Sequence, residues 1–279
     1  MRHAALPLLL AALLTAPAAW AQDKPDGAIT VTGKQQPPVK QAERFVRQVV
    51  AMDTGQLARF IEPVCPLVLG VPASKAEAIA DRLRRDAEGA KVRLGAEKCE
   101  PNLVVVIAAD ADGFIAMMRK RHSTFFDDLQ DVDLRDAFRA GPVHAWRLIE
   151  ERDEDGAPKT ALSDSHSSSV FGQPTQTATV NAVVVLDKKV VLDKTIAQIA
   201  DYVAMRTLAG AHPPENGNAV DTILTLFDPD ATAPKELTSM DARLLAGLYA
   251  IDGTGYATGQ AHQIARDMAK PGEAPKLPN

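Results

Sequence analysis

The amino-acid sequence predicts a mixed α/β (α+β) fold: a small disulfide-tied α/β layer over residues 39–140, then a strand and a mainly helical region over residues 141–279. Three observations carry this expectation. Strand-like and helix-like hydrophobic periods alternate over about 60 residues after Leu57. Two cysteines, Cys65 toward the end of the first strand and Cys99 at the start of the next, are placed to tie neighbouring strands. Late in the chain, Thr195-x-x-Gln198 and Thr238-x-x-Asp241 each stand directly before a helix-period apolar stripe, the pattern of a capping box.

The elements follow in order. Val39, Ala42, Phe45, Val46, Val49 and Val50 recur at helical spacing, with Lys40, Glu43, Arg44 and Arg47 on the other side, which predicts an amphipathic helix up to Met52. "LARFIEPVCPLVLGV" predicts a strand broken by Pro63 and Pro66. Ser74-x-x-Glu77 predicts the start of the next helix, whose face Ile79, Ala80, Leu83 and Ala87 runs down to Gly89. The basic positions Arg82, Arg84, Arg85, Lys91 and Arg93 are expected on a solvated face. "LVVVIAAD" predicts a strand at 103–110, followed by a helix from about Asp112 and a short one at 133–140. "VHAWRLIEE" alternates as a strand over 143–151, and "TATVNAVVVLDKKVVL" returns as a second. Helices are expected from Thr195 to Gly210, over 219–226, after Thr238 and over Thr258–Ala269.

The N-terminus predicts the compartment. Met1, Arg2 and His3 are a short basic start, Ala4–Ala18 is apolar, and Ala19-Trp20-Ala21 is a small-x-small cleavage site. Residues 1–21 are therefore expected to be a signal peptide cut after Ala21, with residues 22–38 a flexible tail on a periplasmic or secreted Gram-negative protein. In that oxidising setting Cys65 and Cys99 are expected to form a disulfide. The formal net charge is −5, and removal of Arg2 takes it one unit further. That balance argues against nucleic acid or an anionic membrane as partner, since both call for clustered positive charge. The longest apolar run after the leader, Leu103–Ala109, is far below the roughly 20 residues that span a bilayer, so no stable membrane insertion is expected.

A zinc hydrolase needs imidazoles at i and i+4 on one helix face and a carboxylate beside the first. Laid over the helix at 195–209, that spacing puts Ala200 and Ala204 at the metal-ligand positions and Asp201 at the general-base position. Neither alanine binds a metal. His122, His144, His166, His212 and His262 lack ligand spacing, and the serine run around His166 has no G-x-S-x-G elbow. His144 and Trp146 fall on one face of their strand and are candidates for a groove wall, against the plainer reading of a packed pair.

The stretch from Asn181 to Ile251, with "VVVLD", "IADYVAMRTLA", "ILTLFDPD" and "ELTSMDARLLAGLYAID", resembles bacterial exported proteins distantly similar to zincin-type metallopeptidases. The resemblance implies a fold, a helix packed under a small sheet with an edge strand suited to extended peptides. It departs from the zincin pattern at the ligand positions and does not carry peptidase activity over. The sequence therefore predicts a non-catalytic exported domain, without catalytic residue, cofactor or metal, binding a peptide, glycan or envelope protein through a cleft near Asp201, His144 and Trp146. The competing expectation is a hydrolase with a metal-independent site centred on Asp201.

Overall fold

The computed structural model describes residues 38–52, 55–153, 155–158, 175–217 and 219–270. The expected leader, nearly all of the tail, and the serine run with His166 lie outside the described residues. The described residues group as one compact unit.

Helix α1 (Val39–Val49) buries the expected stripe, Ala42, Phe45, Val46 and Val49. The prolines break the next segment into β1 (Arg59–Phe60) and β2 (Pro66–Leu69). Helix α2 (Ala73–Gly89) then leads to β3 (Leu103–Ala108), parallel to β2 with Pro66 opposite Leu103. The start of α2 differs from expectation. Pro72 is its N-cap and no side chain caps it, so Ser74 lies inside the first turn, where its hydroxyl is misplaced for the cap. Arg82 departs from the expected solvated face, for it is buried.

Helix α3 (Ala111–Arg121), capped by Asp110, and α4 (Asp131–Phe138) precede β4 (Val143–Asp153). The long β5 (Thr175–Asp187) is the centre of the sheet. One of its edges pairs with β4, antiparallel; the other is shared by β1 and β3, both parallel to it. The strands on either side of residue 140 thus belong to one sheet, ordered β2-β3-β5-β4 with β1 in line with β3. The run expected to continue as strand after Asp187 instead turns into α5 (Lys188–Val191), because the Asp187 carboxylate accepts the Lys189 N–H.

The remaining helices are α6 (Ile196–Thr207), α7 (Ser239–Ala250) and α8 (Ala257–Met268), and the Thr195 and Thr238 capping boxes are both formed. The helix expected over 219–226 is only a 3₁₀ turn at Ile223–Thr225. The reason is visible in its hydrogen bonds: the Ile223 N–H and the Thr222 hydroxyl donate to the buried Asp241 carboxylate of α7, which anchors the turn from outside.

The sheet separates two apolar layers. Leu103, Val105, Ile107, Ala182, Val184 and Leu186 face a large layer that holds the buried sides of α1, α2, α6, α7 and α8. Val183, Val185 and Trp146 face a small layer with Ile115 of α3, Phe126 and Ala137 of α4. The disulfide between Cys65 and Cys99 is formed, with Cα atoms 5.9 Å apart. Cys65 directly precedes β2 and Cys99 lies in the turn before β3, so the bridge ties the amino ends of two neighbouring parallel strands. No helix among the described residues is long and apolar enough to cross a membrane.

Candidate functional site: a cavity at the end of the sixth helix

Helix α6 leaves the central strand and runs beneath the sheet with every residue from Ile199 to Thr207 buried. Gly210, at φ +57°, ends it in the left-handed conformation that glycine adopts without steric cost. A side chain there would overlap the guanidinium of Arg147, which lies against the glycine.

The two faces of α6 do different things. Ala200 and Ala204 belong to the main core, both with zero exposure. Asp201, expected in a cleft, is also fully buried. Its carboxylate accepts two hydrogen bonds from Arg82, at 2.7 and 3.0 Å, and the Leu237 N–H at 2.6 Å. Asp201 is therefore a structural anion joining α2, α6 and the approach to α7, closed to any substrate. Two residues on from Ala200 and Ala204, about 200° round the helix axis, stands the i, i+4 pair Tyr202 and Arg206, themselves only 2 % and 7 % exposed.

These two line a cavity of about 320 Å³. Its other walls come from the turn joining α4 to β4, with Asp136, Arg139 and Val143, and from the segments holding Pro213, Leu224 and Phe227. Val143 pairs with Leu186 near the end of β5, so the cavity opens beyond the carboxyl ends of the parallel strands. That is where open α/β sheets bind ligands.

Asp136 organises the floor. Its Oδ2 accepts from Arg206 Nη2 and, at 2.7 Å, from His212 Nδ1. Arg139 approaches the other oxygen at 3.5 Å. Burial alone would raise the Asp136 pKa, but the His212 hydrogen bond and the Arg206 charge outweigh it and hold the carboxyl well below its usual range. His212 is shifted down: burial penalises the imidazolium more than its bond to Asp136 favours it. The ring is thus neutral near neutral pH, with Nδ1–H turned to Asp136. Arg206 also donates Nη1 to Ala211 O, while its Nε and the His212 Nε2 have no hydrogen-bond partner among the described residues. Tyr202 is 2 % exposed and packs edge-on against Phe227 at 4.8 Å between ring centroids. Its phenol pKa is raised by burial, feels the Arg206 and Asp136 charges, and takes part in no hydrogen bond among the described residues.

His144 and Trp146 share a face of β4 as expected, but neither lines the cavity. His144 is 1 % exposed and its Nδ1 bonds Ala137 O at 3.0 Å. Trp146 packs on Phe126 at 5.4 Å. Both belong to the small layer under α3 and α4.

Asp136, Tyr202 and Arg206 are not among the residues expected from the sequence, and His212 is there set aside for lacking ligand spacing. The signal available was the polar i, i+4 pair Tyr202/Arg206 within the apolar stretch after Asp201, followed by a histidine just after the glycine cap. Among the described residues, no group of three or more His, Cys, Asp or Glu is placed to hold a metal ion. In comparisons with known proteins, no family model matches the chain, and neither does any curated protein or solved structure.

Proposed function

We propose that the chain is an exported, non-catalytic binding domain of zincin-like outline, which holds part of a peptide or envelope-protein ligand in the cavity above α6. The observation that carries this reading is the Arg206–Asp136–His212 arrangement on the cavity floor. Tyr202, Arg206 and His212 stand at i, i+4 and i+10, the offsets of the three histidines in H-E-x-x-H-x-x-G-x-x-H. An antiparallel edge strand, β4, borders the cavity and the helix follows the central strand, which supports the same outline.

The residues present do not fit a zinc ion. A guanidinium has donors only and no lone pair to give, and its positive charge repels a cation. His212 commits Nδ1 to Asp136, leaving a single imidazole nitrogen against the three protein ligands of a catalytic site. Glutamate at the general-base position is replaced by Val203, in the core. The hydrolase alternative loses its candidate, since Asp201 is buried and saturated.

Purified mature protein should carry no stoichiometric zinc by elemental mass spectrometry and should cleave neither casein nor short peptides. Peptide hydrolysis that follows the protein through successive columns and disappears in the near-isosteric Tyr202→Phe variant would end the non-catalytic reading.

A further inference from the structure

Resting on the binding reading above, we infer that the cavity receives the free carboxylate end of a peptide whose last residue is apolar. The first ground is the balance of donors and acceptors. The polar groups around the cavity with unused capacity are mainly donors. The one that reaches the cavity is the hydroxyl of Tyr202, a residue 2 % exposed, which has no partner among the described residues; the Arg206 Nε–H, also without a partner, is itself enclosed. Arg139 adds a guanidinium whose ion pair with Asp136 is a long 3.5 Å contact and whose side chain is 72 % exposed at the rim. Of the acceptors, Asp136 Oδ2 takes Arg206 and His212 and its Oδ1 faces Arg139, while Asp228 accepts the N–H of Asp230 through Oδ1 and its Oδ2 lies against Gly217. A donor-rich site calls for an acceptor-rich group, and a carboxylate offers about four lone-pair sites and no donor. Planar, charge-assisted pairing with Arg139 suits it further.

The second ground is shape. The cavity, about 320 Å³, lies at the lower end of the range of small-molecule sites, roughly 300–1,000 Å³. Val143, Leu224, Phe227 and Pro213 give it apolar walls suited to one side chain.

The third ground distinguishes a chain end from a chain passing through. Arg147 donates its backbone N–H to Asp133 Oδ1 of α4, which places the odd-numbered positions of this part of β4 on its outer edge. Asp133 therefore occupies the edge at Arg147, and Ala145 is buried. In this half of β4, Val143, on the cavity wall, leaves the outer edge within reach of a ligand. An extended peptide can pair with β4 there but cannot continue to pair toward Arg147, which favours a chain that ends in the cavity.

The test uses the mature protein and a fluorescein-labelled tetrapeptide, Ala-Ala-Ser-Leu, with either a free C-terminal carboxylate or an amide, read by fluorescence anisotropy. The acid is expected to bind saturably and the amide at least about tenfold more weakly. Tyr202→Phe and Arg139→Gln should each weaken the acid by about tenfold while leaving the weak binding of the amide unchanged. Equal binding of acid and amide, both abolished by Val143→Trp, would overturn the carboxylate inference and leave the cavity reading standing. Absence of binding by either peptide up to about 1 mM, an affinity no stronger than ~4 kcal/mol, would overturn it as well. Cleavage of the bound peptide, seen as a shortened product by mass spectrometry, would instead sink the non-catalytic reading while the acid-over-amide preference still stood.

Discussion

Arg82 stands between two buried carboxyls, 2.7 Å from Asp201 and 3.5 Å from Asp86, with Glu236 at 3.7 Å on the outside. Asp201 takes the short bidentate contact, so Asp86 is the weaker partner. Burial, and next the Asp201 charge, push the Asp86 pKa up to about 8 against the pull of Arg82. The folded value lies above the unfolded one. Between about pH 4 and 8 the folded chain therefore keeps a proton that the unfolded chain has released, and stability falls as pH rises through that window, at up to about 1.4 kcal/mol per pH unit. Asp86→Asn cannot ionise in either state. Its urea midpoint should match that of the parent near pH 4, exceed it increasingly toward pH 8 and then hold a constant lead. Asp241, fully buried and raised to about 6, leaves both proteins a residual slope below pH 6. Parallel pH profiles for the two proteins would show that Asp86 is ionised throughout. None of this was legible in the sequence, although Arg82 and Asp86 are interleaved with Ile79, Leu83 and Ala87 on the inward side of α2. A charge four residues from its opposite reads as surface pairing until a third element, here α6, is known to cover it.

At the scale of the element, α6 shows what local chemistry reveals and what it hides. Its start was legible because Thr195 and Gln198 cap each other through contacts three residues apart. Thr195→Ala should cost about 1 kcal/mol in chemical denaturation. Its cavity-lining face was hidden because nearly the whole helix is buried, and periodicity cannot rank sides that are all covered. Packing decides. Ala200 and Ala204 are fully buried in the main core, so Ala200→Leu should destabilise by about 1–3 kcal/mol through overpacking. On the other side, Asp136→Asn leaves the buried Arg206 charge without its anion and should cost about 3 kcal/mol. Asp136 titrates with the sign opposite to Asp86. Its folded pKa is depressed, so its contribution is complete above the unfolded value and is lost as acid reaches the folded one. The penalty of Asp136→Asn, measured by urea unfolding, should therefore shrink as pH is lowered below 4. The turn at Ile223–Thr225 hid for a related reason, since its shape is set by the distant Asp241 and not by its own residues.

At the scale of the whole molecule, the alternation of strands and helices was legible because each period is local, whereas the sheet order was not. β5 serves three partners along two edges, and only tertiary pairing reveals that β4 closes the sheet next to it. The resulting frame sets the disulfide and the cavity at opposite ends. Cys65 and Cys99 precede Pro66 and Leu103, at the amino ends of β2 and β3, and Asn102 reinforces the join by accepting the Cys65 N–H at 2.8 Å. Val143 and Leu186 stand at the far end, beside the cavity. A bridge over a separation of 34 residues restricts mainly the unfolded chain, by about 3–4 kcal/mol in the chain-entropy model. The unfolded, unreduced protein should accordingly give no thiol titre, and Cys65→Ala combined with Cys99→Ala should lower the urea midpoint by that order. Because the restraint acts on the unfolded state and lies a full strand length from the floor residues, the double variant should bind a cavity ligand as tightly as the parent wherever both are folded. Affinity falling in step with stability would mean that the bridge also tensions the sheet across β3 and β5, and that the geometry of Asp136, Tyr202 and Arg206 depends on it.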